Sequence, residues 1–351
     1  MSESVVVVAL GASTPVGRDA WSSAAAVRAG ISGFGQHPYM IDTAGEPMRV
    51  AMAPWLDIGL SGVERLGALL FPAIDQALEP VVSNRAAPLK MAIALGLPSS
   101  RPGLPEDIQR DISARITTRY GRHFAAAAAF GAGHAAGFLA LDAACKKLAQ
   151  GAIDACVVAG VDSYLEPETL EWLEECDQLH GAGPLNNAWG FIPGEAAGAL
   201  LVMRASTAQK LRLQPVATVL GTGTAFEPKR IKTETVCVGE GLTQAFRQAL
   251  AALPNGSKVT DVYCDMNGEP YRADEYGFTC LRTKESFESA SEFVAPADCW
   301  GDVAAAGAPL HIMLAAVAGA KDYAQGNHAF TWASAEAGAR GSALIDVSGG
   351  I

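Results

Sequence analysis

Charge is scarce in this chain: Asp, Glu, Lys and Arg make up 18% of its 351 residues, against 50% hydrophobic. Cations are scarcer still, with 26 Lys and Arg facing 37 Asp and Glu, a formal net charge of -11. That balance argues against a nucleic-acid binder, whose affinity comes from cations neutralising phosphates, and against an anionic membrane surface. No apolar run approaches the ~20 residues of a membrane span. The opening Met-Ser-Glu-Ser carries no basic stretch, and Gly11 interrupts the apolar run 5–10, so no secretory signal is expected and the cytoplasm is the expected compartment. The seven cysteines, at 145, 156, 176, 237, 264, 280 and 299, are odd in number and contain no C-x-x-C spacing. Neither a disulfide framework nor a zinc knuckle is indicated, so no metal is expected. The glycine turns at 11–17 and 221–223 match neither G-x-G-x-x-G nor a P-loop, and no nucleotide or other cofactor is expected.

What the chain does have is an alternation of apolar runs and helical patterns. The β-branched run 5–10 reads as a strand covered on both faces, and the turn 11–17 launches a helix to about residue 29. Helices are predicted over 61–78 and 135–150, and strands over 91–97, 154–160 and 198–204. A second series follows: strand 215–220, helix 241–253, strand 259–265, helix 309–320, and strands 329–333 and 343–347. The same rhythm twice over predicts an α/β fold of two similar halves, 1–205 and 206–351, packed as a layered sandwich. Its sites should lie at the carboxyl ends of strands where the halves meet.

Residues 131–137 read Gly-Ala-Gly-His-Ala-Ala-Gly and run into an apolar helix. Small residues let the backbone turn sharply and let a substrate approach, while the helix start presents unpaired N–H groups and a partial positive charge. The place favours an anion. A cysteine there would be an activated thiolate, and the residue present is His134.

The opening Val-Val-Val-Val-Ala-Leu-Gly-Ala-Ser-Thr-Pro-Val-Gly17, continuing to Arg28-Ala-Gly-Ile-Ser-Gly33, resembles the amino terminus of β-ketoacyl synthases, the condensing enzymes of the thiolase superfamily. In order along the chain, 131–162 resembles that family's nucleophile helix and following strand, and Trp189-Gly-Phe-Ile-Pro-Gly-Glu195 with the apolar run after it resembles its Phe-Val-x-Gly-Glu-Gly-Ala-Gly segment. Asp265-Met-Asn-Gly268 stands where the family reads Asn-Ala-His-Gly, and 301–307 where it reads Gly-His-x-x-Gly-Ala-Ala-Gly. The resemblance implies a thiolase-like five-layer α-β-α-β-α fold. It also implies a homodimer, or a heterodimer with a related thiolase-fold subunit.

The family's chemistry uses a cysteine to take the acyl chain and two histidines to promote decarboxylation and stabilise an enolate. The resemblance puts His134, Asn267 and Asp302 at those positions. An imidazole makes only a labile acyl adduct, an amide exchanges no proton near neutral pH, and a carboxylate repels an enolate. The family's Gly-Phe-Gly-Gly turn corresponds to 337–341, where Arg340 is expected to crowd it, and 97–125 is shorter than the family's corresponding cap. These changes imply a catalytically degenerate binding or accessory subunit, partnering an active synthase, an acyl carrier protein or a bacterial secretion-system component. The enzymatic alternative is acyl transfer, decarboxylation or thioester hydrolysis with His134 and Asp302 as a dyad.

Other candidates carry less. Cys264 and Cys299 flank the Asn267 and Asp302 segments and could be relocated nucleophiles, but neither opens a helix. Arg110, Arg115, Arg119 and Arg122 form a basic patch suited to an acidic carrier protein or simply to solvent. Glu195 is expected to brace a turn, and His180, Asn186 and Asn187 sit in a polar loop without a spacing partner.

Overall fold

The computed structural model describes residues 3–83, 89–184 and 186–349. In chain order the first half runs β1 (Val5–Ser13), α1 (Ala20–Arg28), β2 (Phe34–Ile41), β3 (Pro47–Ala51), α2 (Gly62–Ser83), β4 (Met91–Leu97), α3 (Ile108–Tyr120), β5 (Phe124–Gly131), α4 (Ala136–Ala149), β6 (Ala155–Ser163), α5 (Pro167–Glu175) and β7 (Glu195–Arg204). After α6 (Ala205–Leu211), the second runs β8 (Ala217–Phe226), α7 (Glu240–Leu250), β9 (Asp261–Cys264), α8 (Pro270–Thr283), α9 (Ala297–Trp300), α10 (Gly307–Ala320), β10 (His328–Ser334) and β11 (Ala339–Asp346).

Among the described residues, nine strands form one ladder, ordered β5-β4-β6-β7-β1-β8-β11-β10-β9, while β2 and β3 make a separate hairpin. The order is the same pattern read outward from the middle, and the two half-sheets join where Val5–Val7 of β1 pair antiparallel with Ala217–Val219 of β8. The halves are therefore continuous through backbone hydrogen bonds as well as packed. Helices α4 and α10 lie between the half-sheets, α2 and α3 cover the outside of the first, and α7 and α8 cover the outside of the second. Counted across, that is the five-layer α-β-α-β-α sandwich.

The period of two in β1 shows why its sequence is apolar throughout. Val5 and Val7 turn inward to the cluster of Phe138, Leu141, Leu310 and Leu314 from the central helices, and Val6 and Val8 turn outward to Leu69, Leu70 and Ile74 of α2. Strands buried on both faces need no polar alternation. Helix α10 is buried nearly all round for the same reason, from Gly307 to Ala318.

Two departures from the sequence expectations are informative. The helix predicted over 61–78 runs on to Ser83, through Pro72 and Pro80. An interior proline costs ~3 kcal/mol, and here a continuous buried stripe of Leu66, Leu69, Leu70, Ala73, Ile74, Ala77 and Leu78 offsets it. The strand β5, unpredicted, is built on five alanines, Ala125 to Ala129, whose weak β propensity is overridden by parallel pairing with β4.

Candidate functional site

The central helices bring their amino ends together beside the carboxyl ends of β4, β5, β6 and β10. Close backbone approach makes this possible: a Cβ on Gly160 of β6 would lie 2.2 Å from the Ala305 carbonyl oxygen. Gly133 takes a positive φ of 54° at the turn into a short 3-10 segment, Gly133–Ala135, that precedes α4 and carries His134.

His134 is buried, and its Nε2 lies 2.9 Å from both carboxylate oxygens of Asp302. Asn267 donates from Nδ2 to Asp302 Oδ2 at 2.7 Å and to Glu269 Oε2 at 3.0 Å. The backbone N–H of Ala304 donates to Asp302 Oδ1 at 2.9 Å. His134, Asn267 and Asp302 are thus hydrogen-bonded neighbours, each delivered by a different segment.

Burial works against the charge on Asp302, but the His134 imidazole, the Arg272 guanidinium and the Ala304 N–H outweigh it and hold the carboxyl well below the usual carboxylate range. An ionised carboxylate only accepts, so His134 carries a proton on Nε2. Arg272 Nη2 also lies 3.2 Å from that nitrogen. It cannot donate there while Nε2 bears a proton, so this is a close approach of two donors, His134 held by Asp302 and Arg272 by Asp265. The His134 Nδ1 has no hydrogen-bond partner among the described residues, and the ring borders a cavity of about 220 Å³.

That cavity is lined by Ser99, Ser100 and Arg101 after β4, by Gly133 and His134, by Tyr164, Trp172 and Phe191, and by Glu336 near the end of β10. Arg101 is fixed by Asp162 at 2.5 Å and the Ser163 carbonyl at 2.6 Å, and lies over the Tyr164 ring at 4.2 Å. Glu336 accepts from Lys232 at 2.7 Å and from Gln178 at 3.1 Å. Burial alone would raise the Glu336 carboxyl, and Lys232 reverses the shift to a net lowering. Behind His134, Arg272 is held by Asp265 at 2.7 Å and the Ser334 carbonyl at 2.9 Å. Burial lifts the Asp265 carboxyl above its ordinary value even so. The region is a packed set of paired charges.

The thiols weighed as relocated nucleophiles are poorly placed for that role. Burial pushes Cys264 well above an ordinary thiol, and burial with the nearby Asp298 raises Cys299. Arg340, expected to crowd the 337–341 turn, donates to the Ala335 and Ala339 carbonyls beside it and does not line the cavity. Along β11 the side chains alternate, so Gly341 meets Phe138 of the central layer while Arg340 points to the outer layer and pairs with Glu275 at 2.7 Å. Glu195 braces the interior more than a turn, taking Arg65 at 2.6 and 2.8 Å, the Ala53 N–H at 2.9 Å and the Ser163 hydroxyl at 3.0 Å. The basic patch is largely neutralised: Arg110 pairs with Asp107 and Asp111, Arg115 with Glu64, and Arg119 with Asp75. Asn187 closes its own loop on the Asp177 carbonyl, and the His180 N–H bonds the Phe191 carbonyl.

Arg272, Asp265, Glu269, Lys232 and Glu336 escaped the sequence reading. A signal for the first existed, since Glu269-Pro270 is a helix start with proline at the first position and Arg272 two residues on.

With this geometry in hand, comparison with known proteins is decisive for the fold. Residues 96–208 match the family described as "Beta-ketoacyl synthase, N-terminal domain". The ketosynthase of a type II PKS, solved in complex with its acyl-carrier protein and bound to a hexaketide, superposes with a TM-score of 0.80 over 99% of this chain and 100% of that one, at 15% identity. The chain shares the fold of that ketosynthase. The ishigamide ketosynthase/chain length factor gives 0.70 at 21% identity over 98% and 99% of the two chains. The ketosynthase from module 6 of the bacillaene synthase of Bacillus subtilis 168 gives 0.72 at 15% identity, over 98% and 72%. A non-reducing polyketide synthase, Preu3 of Preussia isomera, is 27% identical over 150 residues. That match spans 41% of this chain and 6% of the length of the relative. No helix among the described residues is long and apolar enough to cross a membrane.

Proposed function

We propose that this ketosynthase-like chain has lost Cys-His-His condensation and acts as a binding or accessory subunit, beside an active ketosynthase or within a related assembly. The observation that carries the reading is the His134–Asp302–Asn267 hydrogen-bonded set at the mouth of α4. These three stand, on this reading, at the positions of the family's cysteine and two histidines. A neutral amide and an ionised carboxylate cannot supply the proton exchange and enolate stabilisation that condensation needs. Among the described residues, no thiol lines the cavity.

A surface for the partner supports the same reading. Strand β5 is the free edge of the nine-stranded sheet, and Ala125 to Ala128 along it are exposed. An edge of unpaired N–H and C=O groups with small apolar side chains invites strand addition, and a protein of the same fold offers the same edge. The partner is a second copy or a related thiolase-fold chain, as in the ishigamide ketosynthase/chain length factor. The two halves, 1–205 and 206–351, serve as one rigid support, and a carrier protein or secretion component would dock elsewhere on it.

Native mass measurement and co-purification test this. A stable dimer or heterodimer is expected, reduced to monomer by Ala127→Asp, which puts a charge on the exposed edge strand. A protein that stays monomeric at tens of micromolar and brings down no thiolase-fold partner contradicts it.

A further inference from the structure

We propose that Ser99, His134 and Asp302 form a nucleophile, base and orienting group that hydrolyses short acyl thioesters in the cavity. This activity is independent of the partner reading and differs from condensation in needing neither a cysteine nor an enolate.

The sheet puts the residues side by side. Leu97 of β4 lies opposite Gly131 of β5 in the parallel ladder, so the chain leaving β4 at Ser99 runs beside the turn that carries Gly133 and His134. The contact is close: a Cβ on Gly133 would lie 2.8 Å from Ser99 Oγ. That hydroxyl has no hydrogen-bond partner among the described residues and faces the cavity. On the same wall, His134 is held through Nε2 by the Asp302 carboxylate, leaving Nδ1 unpartnered and the ring edge on the cavity. A carboxylate that fixes one ring nitrogen and leaves the other for proton transfer is the base-and-orienter half of acyl-transferring serine enzymes; Ser99 Oγ and His134 Nδ1 both border the cavity without a hydrogen bond between them, and that bond forms on substrate binding. Trp172, Leu173 and Phe191 give the acyl chain an apolar wall, and about 220 Å³ suits a short one.

The steps balance. Ser99 Oγ attacks the thioester carbonyl as its proton passes to His134 Nδ1; the tetrahedral intermediate expels the thiol, which leaves with that proton. Water then attacks the Ser99 ester, His134 takes and returns one proton, and the carboxylic acid departs with Ser99 restored. Selectivity resides in chain length, set by the size of the cavity.

The test uses the full-length protein with acetyl and hexanoyl thioesters of N-acetylcysteamine, following acid release and the intact mass. Acid release with an acyl or fluorophosphonate adduct mapped to Ser99 is expected. Ser99→Ala lowers turnover ~10²-fold or more, and Ser99→Cys accumulates the acyl-protein. Asp302→Asn reduces turnover and shifts the pH profile without moving the thermal midpoint comparably. Absence of hydrolysis in folded wild-type protein overturns the proposal, as does an adduct on Ser100 or a cysteine. Because oligomeric state is read separately, an inactive dimer defeats this inference alone and an active monomer defeats the accessory reading alone.

Discussion

The two halves repeat one plan and spend their residues differently. The first has a full fifth strand, β5, at the outer edge of its sheet; in the second, among the described residues, the equivalent edge holds two isolated parallel bridges, Val259 with Phe287 and Tyr263 with Val294. The first half supplies the cavity with hydroxyls, aromatic faces and His134. The second supplies a dense charged set, Asp265, Glu269, Arg272, Asp302 and Glu336. The apolar framework is shared, while polar chemistry and the open edge are divided between the halves. Condensing chemistry would need groups from both, so changes on either side are enough to remove it.

The buried ion pairs sharpen that contrast. Both Glu195 oxygens are satisfied several times over, whereas Glu275 Oε2 and Arg340 Nη2 in the second half have no partner. Glu195→Ala strands the Arg65 charge and should cost about 3–5 kcal/mol. Glu275→Ala should cost about 1–3 kcal/mol, because it removes one hydrogen bond from Arg340 where Glu195 takes two from Arg65 and two more from Ala53 and Ser163. Urea midpoints decide the order, and equal losses would erase the difference.

Next in size is an acid effect centred on His311 of α10. Burial and the neighbouring His134 push its imidazole down from 6.5 to about 3, against a smaller opposing pull from Asp302. Between those values the unfolded chain holds a proton that the native chain does not, so this stability is complete above pH 6.5 and lost as pH falls toward 3. The slope approaches roughly 1.4 kcal/mol per pH unit. Equilibrium unfolding of His311→Leu from pH 7 to 4 should show a flatter dependence than wild type, and an unchanged slope would place the acid sensitivity elsewhere.

Substitutions where the central layer meets each half-sheet test how tightly the halves are coupled. Gly160→Ala meets a backbone carbonyl at 2.2 Å and Gly341→Ala meets Phe138 Cβ at 2.3 Å. Each should cost about 1–3 kcal/mol, the former more because backbone yields less than a side chain. Thermal midpoints measure this. The smallest effect is Arg115→Ala at an exposed pair with Glu64, within about 1 kcal/mol by the same measurement.

Much of the framework was legible because doubly buried strands and central helices leave continuous apolar runs, as 91–97 and 5–10 do. The strand of alanines at β5 was not, since alanine favours no strand and only pairing with β4 places it there. His134, Asn267 and Asp302 could be found by resemblance to ordered motifs. Lys232 could not, because it enters the site from the loop before α7 and a long side chain leaves no spacing signature, while Arg272 showed only as the third residue of the helix start at Pro270. The direction of Arg340 needed the register of β11.

Decarboxylation and chain extension of malonyl and acyl thioesters by the purified chain, followed by mass spectrometry of products, test the loss of condensation most directly. No carbon dioxide release above background and no β-ketoacyl product are predicted, with free acid as the sole acyl product. Formation of a β-ketoacyl thioester would contradict the account.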